Sequence, residues 1–199
     1  MKNCVLCDGK LTKIETLCSN LKILGSHFQA GNYDVNYCNE CGLVQCTGNF
    51  DSKDFLEYYT SDISTPFSYI KSKGREKTYE YFSHILTEIK PYINESSNIL
   101  DVGGSWGELA QFLISNGYKN VVTADPNPKC IEDMSSNGLE CVKTDASGMY
   151  EKMKLKKFDM IILNHILEHI IDIKGTMKSV YELLADNGLV FVEVPDVEQ

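Results

Sequence analysis

The chain has 199 residues, 43% hydrophobic and 24% charged, which gives enough apolar material for one ordinary domain plus a small module and excludes wholesale disorder. Its 19 Lys and Arg against 28 Asp and Glu leave a net charge of -9, which argues against a general nucleic-acid binder. No apolar stretch approaches the ~20 residues of a membrane span, and the N-terminus lacks the apolar core of a secretory signal, so a cytoplasmic chain without membrane association is expected.

Residues 1–50 are rich in Cys, Asn and Gly, and six of the eight cysteines lie there. In a reducing compartment such a cluster points to metal rather than to disulfides. Cys4 with Cys7 and Cys38 with Cys41 form two CxxC knuckles. Together they present four thiolates to one zinc ion, tetrahedrally and at about 2.3 Å. The segment between them suits a β-hairpin, and Gly9 and Gly42, one after each knuckle, suit tight turns. A closed four-thiolate site has no open position, so the metal is structural. Four buried thiols are the bland alternative, and a redox pair is disfavoured because no βαβ unit surrounds the motif. Cys18 and Cys46 are left over and read as small hydrophobes, although either could replace a knuckle cysteine.

Residues 51–95 read as a helical connecting region. A helix is predicted over 67–92, with Tyr79, Phe82, Leu86 and Ile89 on one face and Pro91 near its end. Residues 96–199 then alternate strands and helices. Strands are predicted at 98–103, 121–125, 139–144, 158–163 and 189–194. Between them come a helix at Glu108–Ser115 capped by Gly117, and a short one after Pro128 that stops at Gly138. A further helix buries Met177, Val180, Tyr181 and Leu184 and ends at Asn187 and Gly188, while the basic run 152–157 reads as a solvated loop. This alternation predicts an α/β, Rossmann-like parallel sheet of five strands with a small N-terminal metal-binding module. The last strand, LVFVEV, falls at a sheet edge, where it invites a partner such as a second copy, and the sequence reads as cut short soon after it.

Candidate ligand-binding residues gather after the strands. Asp101, Gly103, Gly104, Ser105 and Gly107 form an acidic, glycine-rich strand-to-helix turn. Such glycines let backbone approach a ligand, and a carboxylate ahead of the turn suits an ammonium better than a pyrophosphate. The spacing is not that of a dinucleotide fingerprint, since Leu109 stands where its third glycine would fall. Asp125, before Pro126, ends the second strand about twenty residues on, as an acid that accepts both ribose hydroxyls would. Asp145 and Ala146 could read an adenine edge or equally form an ordinary turn. Asn164 and His165 follow the FDMIIL strand and line a pocket, whereas His169 packs or caps a helix. By helical spacing His165 also shares a face with Glu168 or His169, as a metal ligand or general base would.

Taken as a set, ILDVGGSWGELAQFL, TADPNP, TDAS, FDMIILNHILEH and LLADNGLVFVEVP resemble class I S-adenosylmethionine-dependent methyltransferases. The resemblance implies that Asp101 and residues 103–107 hold the methionine moiety. It assigns Asp125 to the ribose, Asp145 and Ala146 to the adenine, and Asn164 and His165 to the sulfonium side. With the knuckles, CNECGLVQ and EYYTSDISTPF, the chain is similar to zinc-ribbon sugar C-methyltransferases, which act on nucleotide-linked sugars. That resemblance makes Tyr58 and Tyr59 substrate-side candidates. Two departures stand out: Trp106 occupies an acidic position of the turn, and the family's proposed base lies in a His-Glu-His motif beyond Pro195 that this sequence does not contain. No base is assigned on this reading.

The expected organisation is therefore a zinc ribbon over 1–50, the connecting region over 51–95 and a cofactor-binding domain over 96–199. The expected function is methyl transfer to a carbon of a nucleotide-linked keto-deoxysugar. An O-methyltransferase for another small molecule, a non-catalytic cofactor-binding fragment and an NAD-dependent oxidoreductase are the alternatives, the last disfavoured by the loop spacing.

Overall fold

The computed structural model describes residues 3–18, 32–48, 59–60 and 75–195. The chain divides into two compact units, one of Met1–Ser64 with Ile171–Lys174 and one of Thr65–Ile170 with Gly175–Gln199.

In the first unit, β1 (Leu11–Cys18), β2 (Asn32–Cys38) and β3 (Val44–Thr47) form an antiparallel sheet in that order. Tyr33, Val35 and Tyr37 alternate along β2, the pattern and residue types of a strand. The sheet shelters little. Among the described residues of this unit only Cys4, Asn36 and Cys38 are buried. Asn36 is satisfied there by donating to the Asp34 carbonyl at 2.9 Å and the Thr47 hydroxyl at 2.8 Å. Cys46, read as a small hydrophobe, is exposed on the short β3.

The second unit opens with α1 (Arg75–Ile89). Its inward face is Phe82, Ile85 and Ile89, with Leu86 half-buried. Tyr79 stays exposed and lays its ring against Phe112, with centroids 5.3 Å apart. The α-helix stops at Ile89, and Pro91, which has no N–H to give, sits in a 3-10 turn at Lys90–Tyr92. The first part of the predicted helix, 67–74, lies outside the described residues. Residues 75–95 were assigned to a connecting region, but α1 packs into the same core as Ile99, Leu113 and Ile162 and is an integral layer of this unit.

Five parallel strands follow: β4 (Asn98–Val102), β5 (Asn120–Asp125), β6 (Glu140–Lys143), β7 (Phe158–Asn164) and β8 (Leu184–Glu193). Their order is β6-β5-β4-β7-β8. The chain moves outward from β4 to β6, then returns to the other side of β4. The carboxyl ends of β4 and β7 thus meet at a topological switch point, where ligands bind in open α/β sheets. Side chains alternate between the two faces. Ile99, Val121, Met160 and Ile162 meet α1 and α2 (Glu108–Ser115) on one side. Leu100, Val122, Ile161 and Leu163 meet the layer of α4 (Met149–Met153) and α5 (Ile173–Leu183) on the other. Each fully buried aliphatic side chain contributes roughly 1.5–3 kcal/mol. Between β5 and β6, α3 (Pro128–Ser136) buries Cys130 and Met134 and is capped by Asn127, whose side chain accepts the Lys129 N–H at 2.9 Å.

Two elements differ from the sequence pattern. Residues 149–153 make a helix on two buried methionines, Met149 and Met153, a single turn too short to show periodicity. And α5 ends at Leu183, burying Thr176, Ser179, Val180 and Leu183, while Tyr181 is 75% exposed. Asn187 and Gly188 do not end that helix. They turn within β8, where Leu184 already pairs with Phe158 and Leu189 resumes opposite Met160. A Cβ at Gly188 would stand 2.7 Å from the Phe158 carbonyl. As expected, β8 lies at the edge, with Leu189, Val192 and Val194 exposed. No helix among the described residues is long and apolar enough to cross a membrane.

Candidate functional site

The turn after β4 is shaped by its neighbours. Gly103 has φ +70, donates its N–H to the Ala124 carbonyl at 2.7 Å, and has no room for a Cβ because the Ile166 side chain lies there. A Cβ on Gly104 would collide with the Asp101 carboxylate and the Thr123 methyl. Gly107, at φ +77, begins α2 without any side-chain cap, against Leu139 and Met134. Ser105 also takes a positive φ of 51, and its N–H donates to Asp125 Oδ2 at 2.9 Å. The first backbone donors of α2 therefore open onto the turn without a capping side chain.

Two carboxylates are sunk beside this turn. Asp101 is 2% exposed, and its Oδ2 has no hydrogen-bond partner. Burial, and then the negative charges of Asp125 and Glu108, push its carboxyl up to about 7. Asp125 is also buried and pushed up to about 6 by burial, against the N–H groups of Asn127 and Ser105. Each Asp125 oxygen accepts one backbone N–H, at 2.8 Å for Oδ1 and 2.9 Å for Oδ2, which leaves each a lone pair for a ligand hydroxyl. An unpartnered buried carboxylate is costly. A cation seated on the Asp101 oxygen would remove that cost.

The other predicted residues divide. Pro126 is half-buried at the start of the loop to α3. The Thr144 N–H donates to the Asp125 carbonyl at 3.1 Å, which brings the end of β6 to that of β5. Asp145 Oδ1 accepts the Gly148 N–H at 2.7 Å and the Ser147 hydroxyl at 3.0 Å, so one of its oxygens builds the turn into α4. Ala146 packs at the margin of the core. Tyr59 lies in a short helical stretch and is half-buried, whereas Tyr58 lies outside the described residues.

At the end of β7, Asn164 Oδ1 is 2.6 Å from the Tyr81 hydroxyl. His165 takes φ +53, where a non-glycine residue costs roughly 1–2 kcal/mol, and its N–H donates to the Glu193 carbonyl at 2.8 Å. The shared helical face of His165 with Glu168 or His169 does not form, because His165 is left-handed and only Leu167–His169 make a 3-10 turn. Even so, Glu168 Oε1 comes within 3.4 Å of His165 Nδ1 and 3.9 Å of His169 Nε2. The His169 side chain is about half exposed. Tyr81 and Glu193 were missed as site residues. Their periodicity marks only a helix face and a strand end, and the fold alone brings them to Asn164, with the hydroxyl also 3.0 Å from Glu193 Oε1.

In the first unit Cys4, Cys7, Cys38 and Cys41 converge, their sulfurs all within 4.8 Å of one another. The Cys4–Cys41 and Cys7–Cys38 separations are 3.6 and 3.4 Å. A tetrahedral ion with ligands at about 2.3 Å needs edges of about 3.8 Å, so the set fits zinc. The knuckles are alike: the Asp8 N–H donates to the Cys4 carbonyl and the Gly42 N–H to the Cys38 carbonyl, each at 3.0 Å. The left-handed position is Gly42 in the second knuckle but Asp8 in the first. Gly9 serves space instead, since a Cβ there would stand 2.9 Å from Cys38 Sγ. Backbone N–H groups, that of Cys41 above all and then that of Glu40, hold the Cys38 thiol down at about 7, while the neighbouring thiols hold those of Cys7 and Cys41 up.

Comparison with known proteins agrees with this architecture. The chain is 28% identical over 118 residues to a probable polyketide synthase 7 of Dictyostelium discoideum, covering 56% of this chain and 4% of the synthase. Among solved structures it is similar to a SAM-dependent methyltransferase from Archaeoglobus fulgidus, at TM-score 0.54 and 19% identity, over 66% of this chain and 59% of that one. It is also similar to magnesium protoporphyrin IX methyltransferase from Synechocystis PCC 6803 with bound SAM, at TM-score 0.53 and 15% identity, over 69% and 74%. At such identities the likeness is one of fold. The chain thus spans only part of the first relatives it matches. The methyltransferase domain family matches residues 75–199, from the first residue of α1 through the whole parallel sheet, and the chain belongs to that family.

Proposed function

We propose that the chain binds S-adenosylmethionine and transfers its methyl group to a carbon of a nucleotide-linked keto-deoxysugar, in the cytoplasm, with a structural zinc ion on Cys4, Cys7, Cys38 and Cys41. The observation that carries the cofactor reading is Asp101: a buried carboxylate with an unpartnered oxygen, beside a turn too tight for a Cβ. It suits the ammonium of a methionine moiety, and the turn at Gly103, Gly104, Ser105 and Gly107 suits its close approach. Asp125, behind Pro126, suits the ribose hydroxyls. Asp145 and Ala146 would flank the adenine, and Asn164 and His165 the reacting side. Bound there, the cofactor supplies an electrophilic methyl on a sulfonium. The residues of the chain orient it against the acceptor and manage the acceptor's proton.

The sugar acceptor rests on resemblance, through the knuckles and the Tyr58-Tyr59 stretch. The exposed β8 edge supports pairing with a second copy. The discriminating experiment is calorimetric titration of the zinc-loaded chain with S-adenosylhomocysteine and, separately, NAD. Saturable binding of the first alone is expected. Binding of NAD alone would overturn the reading. Isotope transfer from labelled donor to a nucleotide-linked keto-sugar, with the product carbon assigned by NMR, then separates carbon from oxygen methylation.

A further inference from the structure

The ends of β7 and β8 hold a second cluster of titratable side chains, apart from Asp101 and Asp125. Tyr81 comes from α1, His165 and Glu168 from the turn after β7, and Glu193 from β8. Burial first, and then Glu193, pushes the Tyr81 hydroxyl up to about 12, so it keeps its proton and serves as a donor. It has one proton for two close acceptors, Asn164 Oδ1 at 2.6 Å and Glu193 Oε1 at 3.0 Å. Glu193 Oε2 is buried with no hydrogen-bond partner. Among the described residues no Lys or Arg pairs with Glu193 or Glu168.

The His165 ring stands between these carboxylates. Nδ1 is 3.4 Å from Glu168 Oε1 and Nε2 is 3.8 Å from Glu193 Oε1, while 42% of the side chain remains exposed. The second distance is too long for a hydrogen bond, and the first is a charge contact and not a hydrogen bond. With the ring proton on Nδ1, facing Glu168, both Nε2 and Glu193 Oε1 are acceptors. A proton directed at Nε2 from the solvent side therefore meets an acceptor with the Glu193 carboxylate beside it. The left-handed backbone at His165 holds the ring in this place, and strain of that kind persists where surrounding structure demands the position. The neighbouring residue, Ile166, lies against Gly103, so this cluster adjoins the glycine-rich turn.

We propose that His165 is the general base that takes the acceptor's proton at Nε2, with Glu168 and Glu193 as positioning residues. This rests on the methyl-transfer reading and departs from the resemblance, which places a base beyond Pro195. The acceptor's C–H bond breaks, its electron pair stays on the acceptor as an enolate, and the proton bonds to Nε2. The enolate carbon then takes the methyl from the sulfonium donor, and the C–S pair leaves with sulfur as a neutral thioether. Glu168, by its charge beside Nδ1, favours the ring proton there, and Tyr81 fixes Glu193 through its hydroxyl.

The test is nitrogen-15 NMR of the full chain with ring-labelled histidine, the His165 signals assigned by their loss in His165→Gln. The expected result is a neutral ring protonated at Nδ1, with that preference lost in Glu168→Gln. A proton on Nε2, or a tautomer unmoved in a folded Glu168→Gln, would overturn the assignment. If that variant does not fold, the wild-type tautomer alone decides. The same wild-type sample is titrated with S-adenosylhomocysteine. No binding would overturn methyl transfer and the base together, whereas binding with the proton on Nε2 would overturn the base alone.

Discussion

The two units solve the problem of stability in opposite ways. Among its described residues the cysteine unit buries almost nothing: Ile14 and Val44, apolar residues of its sheet, are each 58% exposed. What converges there is four sulfurs. The parallel-sheet unit buries two continuous apolar layers and then tolerates two sunken carboxylates at the carboxyl ends of β4 and β5. On the proposed zinc reading, one unit depends on a ligand to stay folded, and the other holds a ligand site that costs it stability.

Removing the metal should break this contrast most visibly. Structural zinc supplies roughly 10–16 kcal/mol of apparent binding free energy in small ribbons. Chelation, or Cys4→Ser, should therefore unfold the cysteine unit and leave the parallel sheet intact. Limited proteolysis checks this: rapid cleavage within residues 1–50 with residues 75–195 protected is expected, and a ribbon that stays resistant after chelation would contradict it. The converse substitution is Ile161→Ala, at a fully buried position on β7. It should destabilise the sheet unit by about 2–5 kcal/mol and leave the metal content unchanged. Denaturant melting and metal analysis of one sample separate the two effects.

Smaller effects sharpen the cost of the site. Burial above all pushes Asp101 up to about 7 and Asp125 up to about 6, both above the ordinary 3.8. Between about pH 4 and 7 the folded chain keeps protons that the unfolded chain has lost. Stability should therefore fall as pH rises through that window and level off above it. Asp101→Asn should flatten most of that slope and stabilise the unliganded protein at pH 7 by roughly 1–4 kcal/mol. Melting curves across the window check the sign, and a mutant less stable at pH 7 than wild type would contradict it. Least of all, Asn127→Ala should cost about 1 kcal/mol, because it removes the cap of α3. A melting shift of that order, with metal content unchanged, is expected.

The elements were legible where local pattern and tertiary role agree. FDMIIL reads as a strand buried on both faces because it is one, and Gly117 ends α2 at a left-handed residue. The CxxC spacing shows the four cysteines directly, since a knuckle is a local motif. The misreadings arose where distant packing decides. Tyr181 lies one position off the face that Val180 and Leu183 define, and Gly188 is explained by a carbonyl on Phe158 thirty residues earlier. The cluster at the ends of β7 and β8 was least legible. Tyr81, His165 and Glu193 come from three separate elements, and only the β7–β8 pairing brings the last two together. Asp101 was visible as an acid before a glycine turn, but its unpartnered oxygen belongs to the fold.

The claim at the centre of this account is that the sheet unit carries an unsatisfied carboxylate in order to receive a cation. Calorimetry of S-adenosylhomocysteine binding near pH 6, repeated in buffers of different ionisation enthalpy, tests it on wild type and Asp101→Asn. The account predicts that wild type binds and releases protons to the buffer, and that the folded mutant binds far more weakly. Equal affinity in the two proteins, or binding by wild type without proton release, would contradict it.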